Sequence, residues 1–343
     1  MKIQSAGIVG CGNISSAHGG FLAGWDGAEL RAVCDIDPER LEQATKKFGC
    51  RGYLDFQTML TQEDMDIVHI CTPHYLHASM AVEAMRSGRH VFCEKPMATT
   101  TEDALKMIHA SEETGKKLGI CFQNRYNPES LRMKEMVDSG CYGKIEGIRA
   151  FVTWNREALY YQESNWRGTW EREGGGVLIN QAIHTLDLVQ WLAGKPERLR
   201  ADVFTSTLSG VIEVEDSAAI YFESANGSKN IIYATNSFVM DSPIILEMVM
   251  EQATARIEEG LRVLDRSGEV LETYAREEDP QRQGIKYYWG NSHGRIIQDF
   301  YRCIEEEIPF PVDGKAGMEA LRIVEASYRS SRARDFIRPG KEV

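Results

Sequence analysis

The feature that most constrains the fold is a glycine-rich turn placed directly after the first apolar run of the chain. The run Ala6–Gly10 is typical of a short buried strand, and the turn GCGNIS at residues 10–15 leads from it into a helical pattern. Gly10 permits a tight turn, and Gly12 lets the backbone approach a pyrophosphate at the N-terminus of the helix. Ser15 takes the place of a third glycine and is small enough for close helix–strand packing. A strand, this turn and a helix in this order predict a dinucleotide-binding unit.

An acidic residue at the end of the second predicted strand indicates which dinucleotide binds. Asp35 follows the run Leu30–Cys34. An acid at this point accepts hydrogen bonds from the ribose hydroxyls of the adenosine and repels a 2′-phosphate. This favours NAD over NADP, although Arg40 leaves use of both cofactors open, and Asp37 fits better as a helix N-cap. The candidate cofactor ligands of this segment are Gly10, Gly12, Asn13, Ile14 and Asp35.

Strand-like and helical runs alternate from the first strand to about residue 122. The strand-like runs are short and nearly all apolar on both faces, as in a parallel sheet that is covered by helices on two sides. Alternation at this spacing predicts βαβ units. We therefore predict an α/β domain over residues 1–124 with a doubly wound parallel sheet, the Rossmann arrangement.

The pattern changes near residue 125, where longer strands follow one another with less helix between them. The turn Asn226-Gly227 predicts a hairpin, a helix is predicted at about Val177–Leu192, and two more at about His293–Glu306 and Gly317–Ala333. Residues 125–343 are therefore predicted to form an α+β domain on a large, mostly antiparallel open sheet, and the C-terminal helix can return to the first domain. Because one face of such a sheet lacks helices, we expect a homodimer or homotetramer.

Composition narrows the class of protein. Hydrophobic residues make up 43% and charged residues 26%, which is typical of a soluble globular chain. The net charge of −12 argues against nucleic acid or anionic membranes as partners, and no apolar run approaches the ~18 residues of a membrane helix. Because the first predicted strand lies so near Met1, we expect no signal peptide. The eight cysteines form no C-x-x-C pair, so we expect free thiols in a reducing cytoplasm and neither metal site nor disulfide framework.

Two positions carry acid–base candidates. Lys95, in Glu94-Lys95-Pro96, follows the fifth predicted strand, and parallel sheets bind ligands beyond the carboxyl ends of their strands. A structural salt bridge would explain this lysine equally well. His184 shares one face of a predicted helix with Asn180 and Asp187. From position alone His184 is more often a hydrogen-bonded core histidine, and Asp187 is either its orienting partner or part of another network.

The irregular stretch 156–173 is the first candidate for binding a substrate. It is rich in aromatic rings, which suit the C–H faces of a sugar, and in arginines, which suit a carboxylate or phosphate. Packing between domains or subunits is the alternative for each of them. A second cluster at 123–127 includes Asn124, which could reach the nicotinamide amide or substrate, whereas His293 is a pocket wall or a structural residue. The first stretch contains Arg156, Tyr160, Tyr161, Trp166, Arg167, Trp170 and Arg172.

Together these residues resemble the Gfo/Idh/MocA family of NAD(P)-dependent sugar and cyclitol oxidoreductases. The resemblance is an ordered set that spans nearly the whole chain. Its members are Gly10–Ser15, Asp35, Cys71–His77, Glu94–Pro96, Gly174–Gly176 with His184 eight residues on, and His293–Phe300.

The resemblance implies roles for single residues of the first half. Thr72, Pro73 and His77 would line the cofactor near the nicotinamide ribose. Glu94 and Lys95 would contact the nicotinamide end, and Lys95 would also hydrogen-bond the reacting hydroxyl.

In the second half the resemblance implies that His184 is the general base. The family most often has Asp four residues before this histidine, whereas this chain has Asn180, which can orient a hydroxyl or the imidazole but cannot accept a proton. The Asn-Gln-x-x-His version resembles more closely the members that act on UDP-N-acetylglucosaminuronic acid at C3. The implied substrate contacts are Lys95, Tyr160, Trp166, Arg167, Asn180 and His184.

The expected reaction is hydride transfer between NAD and a secondary alcohol of a sugar, glycoside, sugar acid or cyclitol, with C3 as one candidate carbon. Neutral His184 would take the hydroxyl proton and Lys95 would stabilise the alkoxide-like oxygen. Two other classes stay open: an NAD-retaining glycosidase that works by oxidation and elimination, and a non-catalytic sensor of NAD(P) or sugar.

Overall fold

The computed structural model describes residues 3–275 and 292–340 of the 343-residue chain. It contains two compact units. The first unit comprises residues 1–123 and 292–318, and the second comprises residues 124–291 and 319–343. The first unit thus includes a segment from near the C-terminus.

The first unit is built on a parallel six-stranded sheet with the strand order β3-β2-β1-β4-β5-β6. All residues of β1, β4 and β6 are buried, which explains why these strands are apolar on both faces. The strands are β1 Gln4–Val9, β2 Ala28–Cys34, β3 Arg51–Tyr53, β4 Ile67–Ile70, β5 His90–Cys93 and β6 Leu118–Ile120. This is the Rossmann strand order, so the predicted fold of this half is confirmed.

One helix of the first unit begins at the N-cap that the sequence predicts. Asp37 accepts hydrogen bonds from the N–H groups of Glu39 and Arg40, and Gly49 ends the same helix in the left-handed conformation. Another helix begins at His74, directly after Pro73. The helices are α1 Ser15–Ala23, α2 Pro38–Phe48, α3 Phe56–Gln62, α4 His74–Arg86, α5 Thr101–Thr114 and α10 His293–Glu305.

The second unit contains an eight-stranded sheet with the order β14-β13-β12-β11-β7-β10-β9-β8 in the described residues. Neighbouring strands are antiparallel except for the pair β7 and β10, so the prediction of a mostly antiparallel sheet is confirmed. The strands are β7 Ile145–Thr153, β8 Pro196–Phe204, β9 Ser217–Ser224, β10 Lys229–Thr235, β11 Ile245–Met250, β12 Ala253–Ile257, β13 Gly260–Asp265 and β14 Val270–Ala275.

This unit also contains helices, some of which pack against one face of the sheet. The helices are α6 Pro128–Ser139, α7 Ala158–Gln162, α8 Val177–Asn180 and α9 Ile183–Ala193, together with α11 Gly314–Ala333, which begins in the first unit. Helix α9 packs on β7 and β10. The other face carries half-buried and exposed apolar side chains, among them Tyr221 and Ile231 on neighbouring strands. No helix in the described ranges is long and apolar enough to cross a membrane.

The prediction of one continuous helix at about Val177–Leu192 is wrong, because two helices occupy this stretch. It is divided into α8 and α9 at Gln181 and Ala182, and the Ala182 N–H donates to the Val177 carbonyl oxygen, five residues back, at 2.8 Å. A hydrogen bond that spans five residues instead of four widens the helical turn, and such widened turns recur at functional sites. The residues on either side of the widened turn are Asn180 and Ile183.

Candidate active site

The glycine turn has the geometry of a dinucleotide-binding loop. Gly10 has a φ of 90°, and a Cβ built on it would lie 2.6 Å from the Cys71 backbone, so only glycine fits. A Cβ on Gly12 would meet no atom within 4 Å, which leaves open space above this residue. The structure therefore has a tight turn where the sequence predicts one, and room for a ligand beside Gly12.

The N-terminus of α1 is open toward the same space. Its first residue is preceded by Ile14, which provides no side-chain cap. Within the described residues, the N–H groups of Gly12, Asn13 and Ile14 donate no hydrogen bond. Three unpaired N–H groups at the positive end of a helix dipole are what a pyrophosphate requires, so this turn fits NAD.

Asp35 is fixed at the carboxyl end of β2. Its Oδ2 accepts a hydrogen bond from the Cys11 N–H at 2.7 Å, and its Oδ1 accepts one from the Asp37 N–H at 2.9 Å. Each carboxylate oxygen can accept a further bond. The carboxylate is therefore held where the sequence predicts contact with the adenosine ribose.

Two predicted cofactor residues carry buried polar atoms without a partner. Thr72 Oγ1 and Asn124 Oδ1 are buried and form no hydrogen bond with any described residue. Buried polar atoms are normally paired, so an orphan of this kind is explained by a ligand or water. Both atoms are consistent with the predicted contacts to the nicotinamide half of the cofactor.

His77 connects the two turns that follow β4 and β5. Its Nδ1 lies 2.7 Å from the Pro96 carbonyl oxygen, and its Nε2 lies 2.8 Å from the Thr72 carbonyl oxygen. The ring is buried, and burial lowers its pKa, although the two carbonyl partners oppose this shift. His77 thus holds the turns of Thr72-Pro73 and Lys95-Pro96 together, and its direct contact with the ribose stays a prediction.

Glu94 begins a buried chain of polar side chains. Its Oε1 lies 2.8 Å from His18 Nε2, and its Oε2 accepts the Lys95 N–H at 3.2 Å. His18 Nδ1 lies 2.9 Å from His69 Nδ1, and His69 Nε2 lies 2.9 Å from the Tyr301 hydroxyl. Burial alone would raise the pKa of Glu94, but the hydrogen bond and charge of His18 outweigh it and hold the pKa below its ordinary value. The acid before Lys95 is therefore kept ionised.

One group of side chains in the described residues has the composition of a metal site. The ligand atoms of His18, Glu94 and Cys121 lie within 4.8 Å of one another, and all three residues are buried. His18 and Glu94 are already hydrogen-bonded to each other, and burial raises the pKa of the Cys121 thiol well above its ordinary value. A protonated thiol beside a satisfied pair is a poor metal ligand, so these residues fit a hydrogen-bonded cluster.

In the second unit, Asn180 lies at the end of α8 with its side chain directed to a buried acid. Its Nδ2 donates to Glu173 Oε1 at 2.6 Å, and Glu173 Oε2 accepts the Gly168 N–H at 2.5 Å. Burial raises the pKa of Glu173 to about 7, against the lowering effect of these two donors. The candidate Asn180 is therefore tied to an acid that the sequence analysis did not select.

The predicted sugar-binding side chains of residues 156–173 lie together beside Asn180. The Arg167 guanidinium lies 4.4 Å from the centre of the Tyr160 ring and 5.0 Å from that of Trp166. The Tyr160 hydroxyl is hydrogen-bonded to Asn180 and accepts from Gln181 Nε2 at 3.4 Å. The structure thus brings Tyr160, Trp166 and Arg167 into one cluster with Asn180.

His184 lies in the first turn of α9 and is partly exposed, while Asp187 has a different partner. Both oxygens of Asp187 accept from the Arg125 guanidinium, at 2.7 and 2.6 Å, and both residues are buried. The Asp187 carboxylate is thus part of a buried ion pair that holds α9 to the segment before α6. The sequence left Asp187 as either the orienting partner of His184 or part of another network, and the structure shows the second of these.

Glu215 fills the space in front of α8. Its carboxylate accepts the N–H groups of Gly176 and Leu178, each at 3.0 Å, and the Tyr328 hydroxyl at 3.0 Å. Burial raises its pKa to about 7, against the lowering effect of these donors. The backbone of Glu215 also explains why residue 176 is a glycine, since a Cβ on Gly176 would lie 1.8 Å from the Glu215 carbonyl oxygen.

Sequence reasoning missed several of these residues, most of which have partners that are distant in the chain, whereas the partners of Glu173 are five and seven residues away. An acid directly before a triple glycine and a histidine inside an apolar strand were the available signals for Glu173 and His69. His293, considered as a pocket wall or a structural residue, is buried, with its ring centre 6.0 Å from that of His18. The residues missed are His18, His69, Glu173, Glu215 and Tyr301.

Comparison with known protein families gives matches in both halves of the chain. Residues 5–122 match the model described as "Oxidoreductase family, NAD-binding Rossmann fold". Residues 130–256 match the model described as "GFO/IDH/MocA C-terminal domain". The NAD-binding model that matches the first half agrees with the NAD cofactor predicted from the glycine turn at residues 10–15 and from Asp35.

Individual relatives are sugar and cyclitol dehydrogenases. The chain is 30% identical over 226 residues to inositol 2-dehydrogenase of Salmonella typhimurium, covering 65% of this chain and 64% of that one, so it spans less than two thirds of that relative. It is 27% identical over 350 residues to D-glucoside 3-dehydrogenase of Escherichia coli, covering 94% of each. Among solved structures, the WlbA dehydrogenase of Bordetella pertussis, in complex with NADH and UDP-GlcNAcA, is 32% identical over the full length of both chains with a TM-score of 0.85.

Proposed function

The chain belongs to the Gfo/Idh/MocA oxidoreductase family, and on this premise we propose that it transfers a hydride between NAD and a secondary hydroxyl of a sugar or cyclitol. The observation that carries the proposal is the turn before α1. It combines open space at Gly12 with three N–H groups, those of Gly12, Asn13 and Ile14, that no described residue accepts. Such a turn serves a dinucleotide, and the family model of this half is an NAD-binding one.

NAD supplies the hydride acceptor, and the chain supplies the proton acceptor and the charge. Lys95 follows an acid that is held ionised, so its ammonium group is suited to stabilise a developing alkoxide. His184, partly exposed in the first turn of α9, takes the hydroxyl proton as a neutral imidazole. The two roles come from the family resemblance and are part of the proposal.

The substrate we propose is a hexose derivative with an anionic group, oxidised at C3. The Tyr160 and Trp166 rings provide flat faces. The Arg167 guanidinium lies beside them, and its buried Nε donates no hydrogen bond to any described residue. An arginine in this situation favours a carboxylate or phosphate. Two relatives support this choice, namely the WlbA dehydrogenase solved with UDP-GlcNAcA and the D-glucoside 3-dehydrogenase. A UDP-linked N-acetyl-aminouronic acid is therefore the first compound to test.

We also propose that the second unit self-associates through the open face of its sheet. Tyr221 and Tyr233 are half-buried there and Ile231 is exposed, and Phe151 pairs with Tyr233 across β7 and β10. An apolar stripe on an otherwise charged chain favours a homodimer or homotetramer. A monomer in sedimentation equilibrium would contradict this part of the proposal.

The experiment measures NADH absorbance at 340 nm with UDP-N-acetylglucosaminuronic acid, glucosides, free uronates and inositols. NADH with one class supports the proposal and identifies the substrate. Release of an aglycone without net NADH would favour the NAD-retaining glycosidase instead. This alternative is considered because one relative, 28% identical, is described as "Glycosyl hydrolase family 109 protein".

Single variants then test the two assigned groups. We expect Lys95→Ala and His184→Ala each to lower kcat by about 10²–10⁴-fold, because a positioned acid–base group contributes this much. The Kd for NAD of His184→Ala should be unchanged, since the glycine turn lies in the first unit. A variant that keeps more than about a tenth of kcat would show that the role is wrongly assigned.

A further inference from the structure

Glu173 is a buried acid to which neither the sequence motifs nor the chemistry proposed above gives a role. It directly precedes the glycine run 174–176, and only 1% of its surface is exposed. Burial of an ionisable group is costly unless the group is paired, so the contacts of this carboxylate indicate what it does.

Each oxygen of the Glu173 carboxylate accepts a hydrogen bond from a different segment of the candidate site. Oε1 accepts from Asn180 Nδ2 at 2.6 Å, and Oε2 accepts from the Gly168 N–H at 2.5 Å. Gly168 directly follows Arg167, and Asn180 precedes His184 by four residues. One acid thus connects the arginine–aromatic loop to the segment that carries the proposed base.

The two ends of an asparagine amide have the same shape but opposite hydrogen-bonding roles, because the nitrogen donates and the oxygen accepts. A carboxylate can only accept, so it attracts the nitrogen end. We propose that Glu173 is a positioning residue that fixes the Asn180 amide, with Nδ2 toward the carboxylate and Oδ1 presented as the acceptor for a substrate hydroxyl. This inference rests on the proposed function, because it assigns the Oδ1 atom to a sugar hydroxyl.

Without an acceptor-only neighbour, the Asn180 amide can turn round and present its nitrogen instead. A sugar hydroxyl donates one hydrogen and orients by it, so an amide with a fixed oxygen selects one orientation of the substrate. Asn180 cannot take up a proton, but with Glu173 behind it the residue defines the direction of a hydrogen bond. The negative charge stays on the buried Glu173, and Asn180 separates it from the substrate.

The device works when Glu173 is ionised, because a protonated carboxyl can donate to Oδ1 and stabilise the reversed amide. Burial raises the pKa of Glu173 to about 7. The charged and titratable groups that act on it from the surrounding elements are Arg167, Glu215, Tyr160, Tyr161 and Tyr328. Arg167 favours the ionised form and Glu215 opposes it. Substrate binding should therefore weaken as the pH falls through about 7.

The test exchanges the donor and the acceptor of the Glu173–Asn180 hydrogen bond. In Glu173→Gln the new amide oxygen accepts from Gly168 and the new nitrogen faces residue 180, which turns Asn180 round. We expect kcat/KM to fall about tenfold or more, mainly through KM, as one lost positioned hydrogen bond requires. In Asn180→Asp two acceptors face each other, so we expect a loss at least as large that grows above pH 7.

The double variant, Glu173→Gln with Asn180→Asp, restores a donor opposite an acceptor. The introduced amide donates to the introduced carboxylate and still accepts from the Gly168 N–H. We expect kcat/KM to return to within about threefold of the wild type, and the change of KM around pH 7 to disappear. The Kd for NAD and the thermal unfolding midpoint are the controls. Losses that multiply in the double variant, or a Glu173→Gln protein within twofold of the wild type, would overturn the inference.

A second measurement separates this inference from the proposed function. The side-chain NH₂ signal of Asn180 in ¹⁵N-asparagine-labelled protein can be assigned by its absence from Asn180→Asp. We expect this signal to titrate near pH 7 in the wild type and to shift without titrating in Glu173→Gln. If no sugar yields NADH, the proposed function fails while this signal still tests the amide. An Asn180 signal that is the same in the wild type and Glu173→Gln overturns the inference whatever the activity.

Discussion

Two glycine-rich turns precede helices in this molecule, and the two units use them in opposite ways. In the first unit, the turn before α1 leaves the N–H groups of Gly12, Asn13 and Ile14 without an acceptor among the described residues. A Cβ on Gly12 would meet nothing within 4 Å. This turn is open to an external anion.

In the second unit, the turn before α8 is closed by the protein's own acid. The N–H groups of Gly176 and Leu178 donate to the Glu215 carboxylate, and a Cβ on Gly176 would lie 1.8 Å from the Glu215 carbonyl oxygen. A Cβ on Gly175 would lie 2.0 Å from the Tyr328 hydroxyl. The glycines here make room for neighbouring protein atoms.

The comparison teaches that glycines before a helix do not identify a ligand site by themselves. What decides is whether a side chain of the same unit satisfies the first N–H groups of the helix. An internal carboxylate turns the motif into a structural joint, and an unfilled turn is an anion site.

The largest effect that would sharpen this comparison is expected from Gly176→Ala. The added methyl group meets a backbone oxygen, which no side-chain rotation can relieve, and its displacement also breaks the Glu215 contacts. We expect the free energy of unfolding to fall by at least about 4 kcal/mol. Urea unfolding measures this loss, and Gly12→Ala is the matched control that should unfold like the wild type. Equal stability of the two variants would remove the distinction between the turns.

The second prediction concerns pH, because the two units bury titratable groups of opposite kinds. In the second unit, burial raises the pKa values of Glu173 and Glu215 to about 7, above the ordinary 4.5. A raised pKa gives stability that is complete below about 4.5 and is lost as the pH rises through 7. Each acid contributes on the order of 3 kcal/mol to this loss.

The first unit should respond in the other direction. Seven of the eight histidines lie there, and burial lowers the pKa values of His69, His77 and His90 below 6.5. A lowered histidine pKa gives stability that is present above 6.5 and is lost as the pH falls. Between pH 5 and 6.5 a rising pH should therefore stabilise the first unit and destabilise the second.

Hydrogen–deuterium exchange at pH 5, 6 and 7, corrected for the intrinsic exchange rate, measures the two units separately. Peptides of β1 and β4 should gain protection as the pH rises, whereas peptides of α8 and β9 should lose it. Glu215→Gln should reduce the change in the second unit and leave the first unit unaffected. The same slope in both units would show that these buried groups do not govern stability.

The fold was predictable from the sequence because its signals are local. Alternating apolar and helical runs predict the parallel sheet, and Asn226-Gly227 predicts the hairpin between β9 and β10, where Gly227 has a φ of 87°. Asp37 and Gly49 mark the ends of α2 in the same way. In each case the residues that decide the structure are neighbours in the chain.

Most of the polar clusters were not predictable because their members are distant in sequence. His69 and Tyr301 are 232 residues apart, and Tyr328 reaches Glu215 across 113 residues. The division of the helix between α8 and α9 also escaped prediction, because no glycine or proline marks the widened turn at Ala182. Pattern predicts which elements form, and only the fold shows which acid meets which donor.

The smallest effect, and the one that tests the open turn most directly, is expected from Gly12→Ala in the presence of NAD. Its methyl group enters the space that a pyrophosphate would occupy, and it touches no protein atom within 4 Å. We expect the Kd for NAD to rise about 10- to 100-fold, which corresponds to about 1.4–2.8 kcal/mol of lost binding. Isothermal titration with NAD measures it, and the unfolding midpoint without NAD should stay that of the wild type. An unchanged Kd would mean that the dinucleotide does not approach Gly12, whereas a lowered midpoint without NAD would mean that this glycine, like Gly176, serves the protein's own packing.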